Sequence, residues 1–138
     1  MERSELQPGV TNTVSYVVRD TDAASSFGLD AADRFPRVFA TSRMVSVMEV
    51  AAARAMRPLL GKGELSVGIS MDVTHTAPTP VGGTVRATAT FVAREGKRYV
   101  FEVAAADDGG EIGRGRHQRA IVAAERLEQG AAARGKKG

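Results

Sequence analysis

The feature that most constrains the fold of this chain is a mostly apolar run between Phe35 and Met56 that contains one carboxylate. Pro36 disfavours helical geometry at the residue before it, so the predicted helix begins later, near Thr41. Several alanines favour its continuation, and either Pro58 or the two glycines that follow would end it. Helical geometry places seven residues on one broad face that a sheet would cover: Thr41, Met44, Met48, Ala52, Ala55, Met56 and Leu59.

Glu49 falls at the edge of this apolar face. On a helical wheel it lies about 20° beyond Met56 and about 40° beyond Val45, where a carboxylate would be partly desolvated. Two interpretations stay open. Glu49 either reaches water or pairs with Arg43 or Arg54, or it carries a chemical function.

Alternation of apolar and polar residues predicts five strands around this helix, because successive side chains of a strand point to opposite faces. The predicted spans are 11–19, 65–74, 84–94, 98–106 and about 112–124. Residues 20–34 lack periodicity and are expected to form a loop or a short helix that could cover a site. The last four strands follow one another through mostly short turns, which predicts an α+β domain with an antiparallel sheet and the helix on one face. The fifth strand is the least regular, since its apolar pattern is interrupted by Gly113, Gly115, His117 and Arg119.

The charge of the chain is concentrated at its end. Residues 131–138 contain Arg134, Lys136 and Lys137 and no acid, which equals the formal net charge of +3 of the whole chain. The remainder is neutral overall and has two tyrosines and no tryptophan, so no nucleic-acid partner is expected. We expect one domain over residues 1–126 and a flexible basic tail over residues 127–138.

The composition favours a soluble, cytoplasmic protein. Cysteine is absent, which excludes disulfides and thiolate nucleophiles and is typical of a reducing compartment. The first ten residues lack the order of a signal peptide, and no window reaches the roughly 20 apolar residues of a transmembrane helix, so no membrane partner is expected. No metal site is expected either, because His75, His117 and scattered acids offer too few ligands.

Three polar residues stand where the pattern predicts apolar neighbours or a helix start: Thr41, Glu49 and His75. Thr41 could be only the N-cap of the helix, and Ser42 could serve equally. His75 continues the apolar face of the second strand by one step, where a lone histidine could simply be hydrogen-bonded. The coincidence of the three favours a functional site. The arginines of the fifth strand form either a solvated face or contacts for an anionic ligand such as a phosphate-bearing cofactor: Arg114, Arg116 and Arg119.

Three stretches carry a resemblance to a known family: FPRVFATSRMVSVMEVAAARAM, GISMDVTHTAPTPVGGTV and EIGRGRHQRAIV. In this order and spacing they resemble the hot-dog-fold thioesterases of the fluoroacetyl-CoA type, over about residues 9–126. The resemblance implies a curved antiparallel five-stranded sheet wrapped around one long central helix. It also implies a homodimer with acyl-CoA sites at the subunit interface, where CoA is part of the substrate and no separate cofactor is needed.

Matched position by position, the resemblance implies a catalytic set and three substrate contacts: Thr41, Glu49 and His75 for catalysis, Phe35 as an aromatic lid residue, Gly68 near the acyl group and Arg119 near the substrate. A second lid phenylalanine of the family aligns with Ala32. The resemblance therefore implies a thioesterase for short-chain acyl-CoA more directly than a fluoroacetyl preference.

On this hypothesis Glu49 activates water or attacks the acyl carbon itself, and His75 orients the thioester or protonates the leaving thiolate. Thr41 would position Glu49 or the acyl group, and the helix N-terminus with the Gly68 amide could stabilise the oxyanion. Two alternatives on the same fold are a non-catalytic protein that binds acyl-CoA or another small ligand, and an enoyl-CoA hydratase-type enzyme.

Overall fold

A single long helix covers one face of the sheet in a computed structural model that describes residues 5–136. Helix α1 spans Thr41–Met56, and a 3-10 turn, Arg57–Leu59, follows it at Pro58. The predicted start is confirmed, and the proline ends the helix before the glycines do. All apolar residues of the predicted face are buried, and Val47 and Ala51 widen this face.

The five strands are antiparallel and agree with the predicted spans to within two residues: β1 Thr11–Val17, β2 Glu64–His75, β3 Thr84–Glu95, β4 Arg98–Asp107 and β5 Gly110–Ala123. Their order across the sheet is β1-β3-β4-β5-β2, so β1 and β2 are the edge strands. The core lies between the sheet and α1. The predicted α+β architecture is confirmed.

The predicted register of β2 is correct only in its second half. The pairing of β2 with β5 shifts between Gly68 and Ser70, which leaves Ile69 as an extra residue. Because one extra residue reverses the face that each later side chain takes, the apolar alternation does not follow a single face. Met71 and Val73 pack against the core as predicted, whereas Ile69 is exposed.

Gly113 of β5 allows the start of α1 to approach the sheet. A Cβ atom at Gly113 would lie 2.7 Å from Sδ of Met44 and 2.6 Å from the carbonyl oxygen of Thr74. Both distances are too short for a side chain, so this position in the strand requires glycine.

The segment between β1 and α1 forms two 3-10 turns, Asp20–Asp22 and Ala24–Ser26, in agreement with the predicted loop or short helix. Isolated bridges join Ala23 to Phe39 and Val38 to Pro80. The amide of Phe39 donates to the carbonyl of Thr79 at 2.8 Å. The entrance to α1 is thereby held beside the residues that follow β2.

Beyond β5 the chain forms a helix, α2, over Ala124–Gly135, and most of this helix lies in the region for which the sequence predicts a flexible basic tail, residues 127–138. None of the α2 residues is buried, so helix-favouring residues such as alanine, glutamate and arginine account for it better than packing does. Lys137 of the predicted basic tail lies outside the described residues. No helix within residues 5–136 is long and apolar enough to span a membrane.

Candidate functional site

The first of two polar clusters joins the start of α1 to the end of β2. Thr41 Oγ1 and His75 Nδ1 are 2.9 Å apart. Ala40 is the N-cap residue of α1, and no side chain caps this helix. The interpretation of Thr41 or Ser42 as an N-cap is therefore wrong, because the Thr41 hydroxyl contacts the imidazole instead.

His75 faces the interior at this cluster. Its Nε2 atom is buried and has no hydrogen-bond partner in the described part of the chain. Burial lowers the pKa of His75, and the backbone of Ala77 opposes this shift less strongly. A cavity of about 390 Å³ adjoins the pair, and its lining includes Thr41, His75, Pro36 and Val38. The cluster thus offers a mostly neutral imidazole beside a space that a small group can enter.

The second cluster lies under the middle of α1. Glu49 Oε2 accepts a hydrogen bond from Nη1 of Arg119, at 2.9 Å. The Arg119 side chain is almost fully buried, and that of Glu49 is partly exposed. The alternative that Glu49 pairs with Arg43 or Arg54 is wrong, because Arg119 of β5 binds the carboxylate instead. The alternative that Glu49 reaches water agrees with its partly exposed side chain.

Several groups on β2 and β5 hold this arginine. Arg119 Nε donates to Ser66 Oγ, and Nη2 donates to the Ser66 carbonyl oxygen, both at 2.9 Å. Nη1 also lies 3.0 Å from Nε2 of His117, whose Nδ1 is 2.8 Å from the carbonyl oxygen of Ser70. The β2 bulge makes this arrangement possible, since it brings Ser66 to the side of the sheet that faces Arg119.

Gly68 pairs with Arg119 across the two strands and faces Glu49. A Cβ atom at Gly68 would lie 2.7 Å from Glu49 Oε2 and 3.3 Å from Cε1 of His117. Only a residue without a side chain leaves room for the carboxylate in this position. The predicted contact of the Gly68 backbone with an acyl group stays a prediction.

Five of the six predicted site residues thus fall into two separate groups. Thr41 and His75 form one cluster, and Glu49, Gly68 and Arg119 form the other. Glu49 follows Thr41 by eight residues, which corresponds to about 12 Å along a helix axis. Within residues 5–136, no hydrogen bond joins the two clusters.

The remaining predicted contacts lie further out. Phe35 is half exposed and is not part of the cavity lining beside Thr41, so its role as a lid residue stays a prediction. Arg114 is exposed and pairs with Glu111 at 2.7 Å, which agrees with a solvated strand face. Arg119 does not belong to such a face, because it is buried.

Apolar alternation in the sequence does not reveal His117 and Ser66. Alternation alone treats His117 as an interruption of β5, together with Gly113, Gly115 and Arg119. These four residues occupy every second position, so they share one face of the strand. A row of glycines and polar residues on the face that should be buried was the available signal for a polar site. In the part of the chain that the structure describes, no three His, Cys, Asp or Glu side chains cluster closely enough to hold a metal ion.

Comparison with known proteins identifies the family of the chain. The profile of the fluoroacetyl-CoA-specific thioesterase family matches residues 18–125. The fluoroacetyl-CoA thioesterase of Streptantibioticus cattleyicolor is 50% identical over 93 residues, which are 67% of each chain. A solved fluoroacetyl-CoA thioesterase with 38% identity has a TM-score of 0.87 over 94% of this chain and 98% of that chain. A hot-dog-like protein from Thermanaerovibrio acidaminovorans, 24% identical, has a TM-score of 0.77 over 92% of this chain and 91% of its own. The predicted hot-dog fold is confirmed.

Proposed function

This chain belongs to the fluoroacetyl-CoA-specific thioesterase family and is a thioester hydrolase, and we propose that it hydrolyses a short-chain acyl-CoA to the free acid and CoA. Fluoroacetyl-CoA is the first candidate substrate, because it is the substrate named for the relatives. The observation that carries the proposal is the state of Glu49. Its carboxylate is fixed at one oxygen by buried Arg119, while the side chain as a whole stays 40% exposed.

Such a carboxylate is suited to activate a nucleophile. Among the described residues, no hydrogen bond occupies Oε1 of Glu49, so this oxygen can accept a proton from water. The water oxygen then attacks the thioester carbonyl, the C–S bond breaks, and the CoA thiolate leaves and takes up a proton. Direct attack of Glu49 on the acyl carbon, followed by hydrolysis of the resulting anhydride, gives the same products.

The Thr41 and His75 cluster supplies the second half of the proposed chemistry. The Thr41 hydroxyl contacts Nδ1 of the imidazole, and the buried Nε2 has no hydrogen-bond partner among the described residues. We assign this second nitrogen to the thioester or to the leaving sulfur of a bound substrate, which must reach it from the adjoining cavity. The N-terminus of α1 starts at the same place, and its unpaired backbone N–H groups favour the negative charge that develops on the carbonyl oxygen.

We also propose that the two halves meet between two copies of the chain. They are separate within one copy, and β2 is a twelve-residue edge strand with an unpaired side. Leu65 and Ile69 of β2 are exposed, and an edge of this kind is suited to pair with another strand. Antiparallel pairing of two β2 strands, centred between Met71 and Asp72, would set His75 of one copy opposite Gly68 of the other and therefore near its Glu49.

Thiol release from acyl-CoA tests the reaction. Glu49→Gln should reduce the turnover of fluoroacetyl-CoA and acetyl-CoA by about 10²- to 10⁴-fold, because the amide cannot take a proton. Glu111→Gln is the matched control, since it makes the same substitution on an exposed carboxylate that pairs with an arginine. Wild-type turnover in Glu49→Gln would rule out Glu49 as base and nucleophile.

Mixed oligomers test the shared site. Glu49→Gln and His75→Ala subunits, refolded together, should recover about a quarter of the wild-type activity, because half of the random dimers regain one intact site. A mixture of Thr41→Ala and His75→Ala should recover nothing, since both lesions lie in the same half of the site. An absence of recovery in the first mixture, with mixed dimers demonstrated by mass spectrometry, would place the complete site within one subunit.

A further inference from the structure

The buried imidazole of His117 has no role in the reaction proposed above. It lies on β5 between Met71 of β2 and Phe101 of β4, and it is almost inaccessible to solvent. Both of its ring nitrogens nevertheless have partners, at 2.8 Å to the Ser70 carbonyl oxygen and at 3.0 Å to Arg119 Nη1. A buried histidine with two defined partners has one preferred protonation state.

The chemistry of the partners fixes that state. A carbonyl oxygen only accepts hydrogen bonds, so Nδ1 of His117 must carry a proton to satisfy Ser70. A guanidinium only donates, so Nε2 must present its lone pair to Arg119. Burial has the largest effect on the pKa of His117 and lowers it. The hydrogen bond to the Ser70 backbone raises this pKa by less, the charge of Arg119 lowers it and the charge of Glu49 raises it, so the pKa is lowered overall. His117 is therefore the neutral Nδ1–H tautomer.

The same hydrogen bonds leave Arg119 with one orientation. Ser66 takes a hydrogen from Nε and one from Nη2, and His117 takes one from Nη1. Because the guanidinium is planar and rigid, these three bonds determine the direction of the remaining Nη1 hydrogen, which points to Glu49 Oε2. Arg119 and Glu49 are the charged groups that influence the titration of His117.

We propose that His117 is a positioning residue, which accepts a hydrogen bond from Arg119 and thereby sets the place of the Glu49 carboxylate. The inference rests on the proposed function for its catalytic consequence, and His117 itself touches no substrate. Protonation of His117 would turn an N–H group toward the guanidinium and displace Arg119. The enzyme should therefore lose activity in acid as His117 takes up a proton, before the fold is lost.

Nitrogen-15 NMR of the wild-type protein tests the hydrogen-bond assignment without reference to activity. The chain has only two histidines, so the signals are assigned by comparison with a His75→Gln variant. At pH 7 we expect His117 to show a protonated Nδ1 and an unprotonated Nε2. An Nε2–H tautomer or a doubly protonated ring at this pH would overturn the inference, whether or not the protein hydrolyses acyl-CoA.

Two substitutions test the consequence. His117→Leu keeps the volume and removes the acceptor, and kcat should fall about 10- to 100-fold with little change in KM, because the base is misplaced. His117→Gln presents an amide oxygen to Arg119 and an amide N–H to Ser70, so it should retain most of kcat and lose the acid decline that belongs to His117. Unchanged kcat in a folded His117→Leu variant would overturn the inference. If that variant does not fold, an unaltered acid decline in His117→Gln would overturn it.

Discussion

Two carboxylate–arginine pairs of this protein are built in opposite ways. In the pair of Asp22 with Arg43, the carboxylate side chain is 2% exposed and the arginine 36%. In the pair of Glu49 with Arg119, the carboxylate side chain is 40% exposed and the arginine 6%. The buried member is therefore the carboxylate in the first pair and the guanidinium cation in the second, and the surroundings of each pair determine its role.

Both carboxylate oxygens of Asp22 accept hydrogen bonds. Its carboxylate accepts hydrogen bonds from the Tyr16 hydroxyl at 2.6 Å, the Arg19 amide at 2.8 Å and Arg43 Nε at 2.7 Å. Its backbone carbonyl also accepts a hydrogen bond from the amide of Ala40, which is the N-cap residue of α1. Asp22 thus ties β1, the following turn and the start of α1 together, and no oxygen is left for chemistry.

Glu49 differs because the neighbouring polar groups form their hydrogen bonds with Arg119 and not with the carboxylate. Ser66 and His117 bind Arg119, and the carboxylate receives one hydrogen bond and remains accessible. A carboxylate with all its donors in place is a structural element, whereas one that is fixed at a single oxygen and open at the other can take a proton. In the pair that we propose for the reaction, the cation is buried and the carboxylate is accessible, whereas the reverse holds for Asp22 and Arg43.

Exchange of each carboxylate for its amide is expected to affect the two pairs very differently. In Asp22→Asn, an amide N–H group must face a donor in either orientation, so we expect a loss of about 2–3 kcal/mol in the free energy of unfolding. In Glu49→Gln, the amide oxygen can face Arg119 while the N–H group faces solvent, so the loss should be below about 1 kcal/mol. Urea unfolding followed by circular dichroism at pH 7 measures both.

Asp20→Asn provides the matched control for this exchange. Asp20 lies two residues before Asp22 and pairs with Arg37, but both side chains of this pair are largely exposed. Removal of an exposed pair should change the free energy of unfolding by less than about 1 kcal/mol. Equal losses in Asp22→Asn and Glu49→Gln would show that the number of donors around a carboxylate does not distinguish the two pairs.

A methyl group added beside Glu49 tests whether the position of its carboxylate matters for hydrolysis. In Gly68→Ala the new atom meets the end of a flexible, partly exposed side chain, so Glu49 can move and the fold should lose less than about 1 kcal/mol. Thioester hydrolysis should fall about tenfold or more, because the carboxylate moves from its place. Gly113→Ala is the control on the paired strand, where the methyl group meets the backbone of Thr74 and should cost about 1–3 kcal/mol. Full activity in Gly68→Ala would mean that the carboxylate tolerates displacement.

The contrast between local and distant contacts also explains how far the sequence could predict this protein. Helix α1, its buried face and the strand spans follow from periodicity, which is a local property. The β2 bulge does not, because the apolar alternation continues through Ile69 although the pairing slips there. The partner of Glu49 lies 70 residues away on β5, and such a contact depends on strand register rather than on neighbours in sequence. The contact between Thr41 and His75 could be anticipated, because Thr41 begins a helix and His75 ends a strand that the sequence predicts well.

The smallest expected effect is on acid sensitivity, and it concerns only the pair of Asp22 with Arg43. Burial by itself would raise the pKa of Asp22, but hydrogen bonds from Tyr16, the Arg19 backbone and Arg43 outweigh it and lower this pKa. A carboxyl with a lower pKa in the folded state stabilises the protein above its unfolded pKa of about 4, and this contribution is lost as the pH falls further. The difference in free energy of unfolding between the wild type and Asp22→Asn should therefore be constant from about pH 7 to pH 5 and shrink below about pH 4. A difference that persists unchanged at low pH would mean that the charge of Asp22 is not what its three donors stabilise.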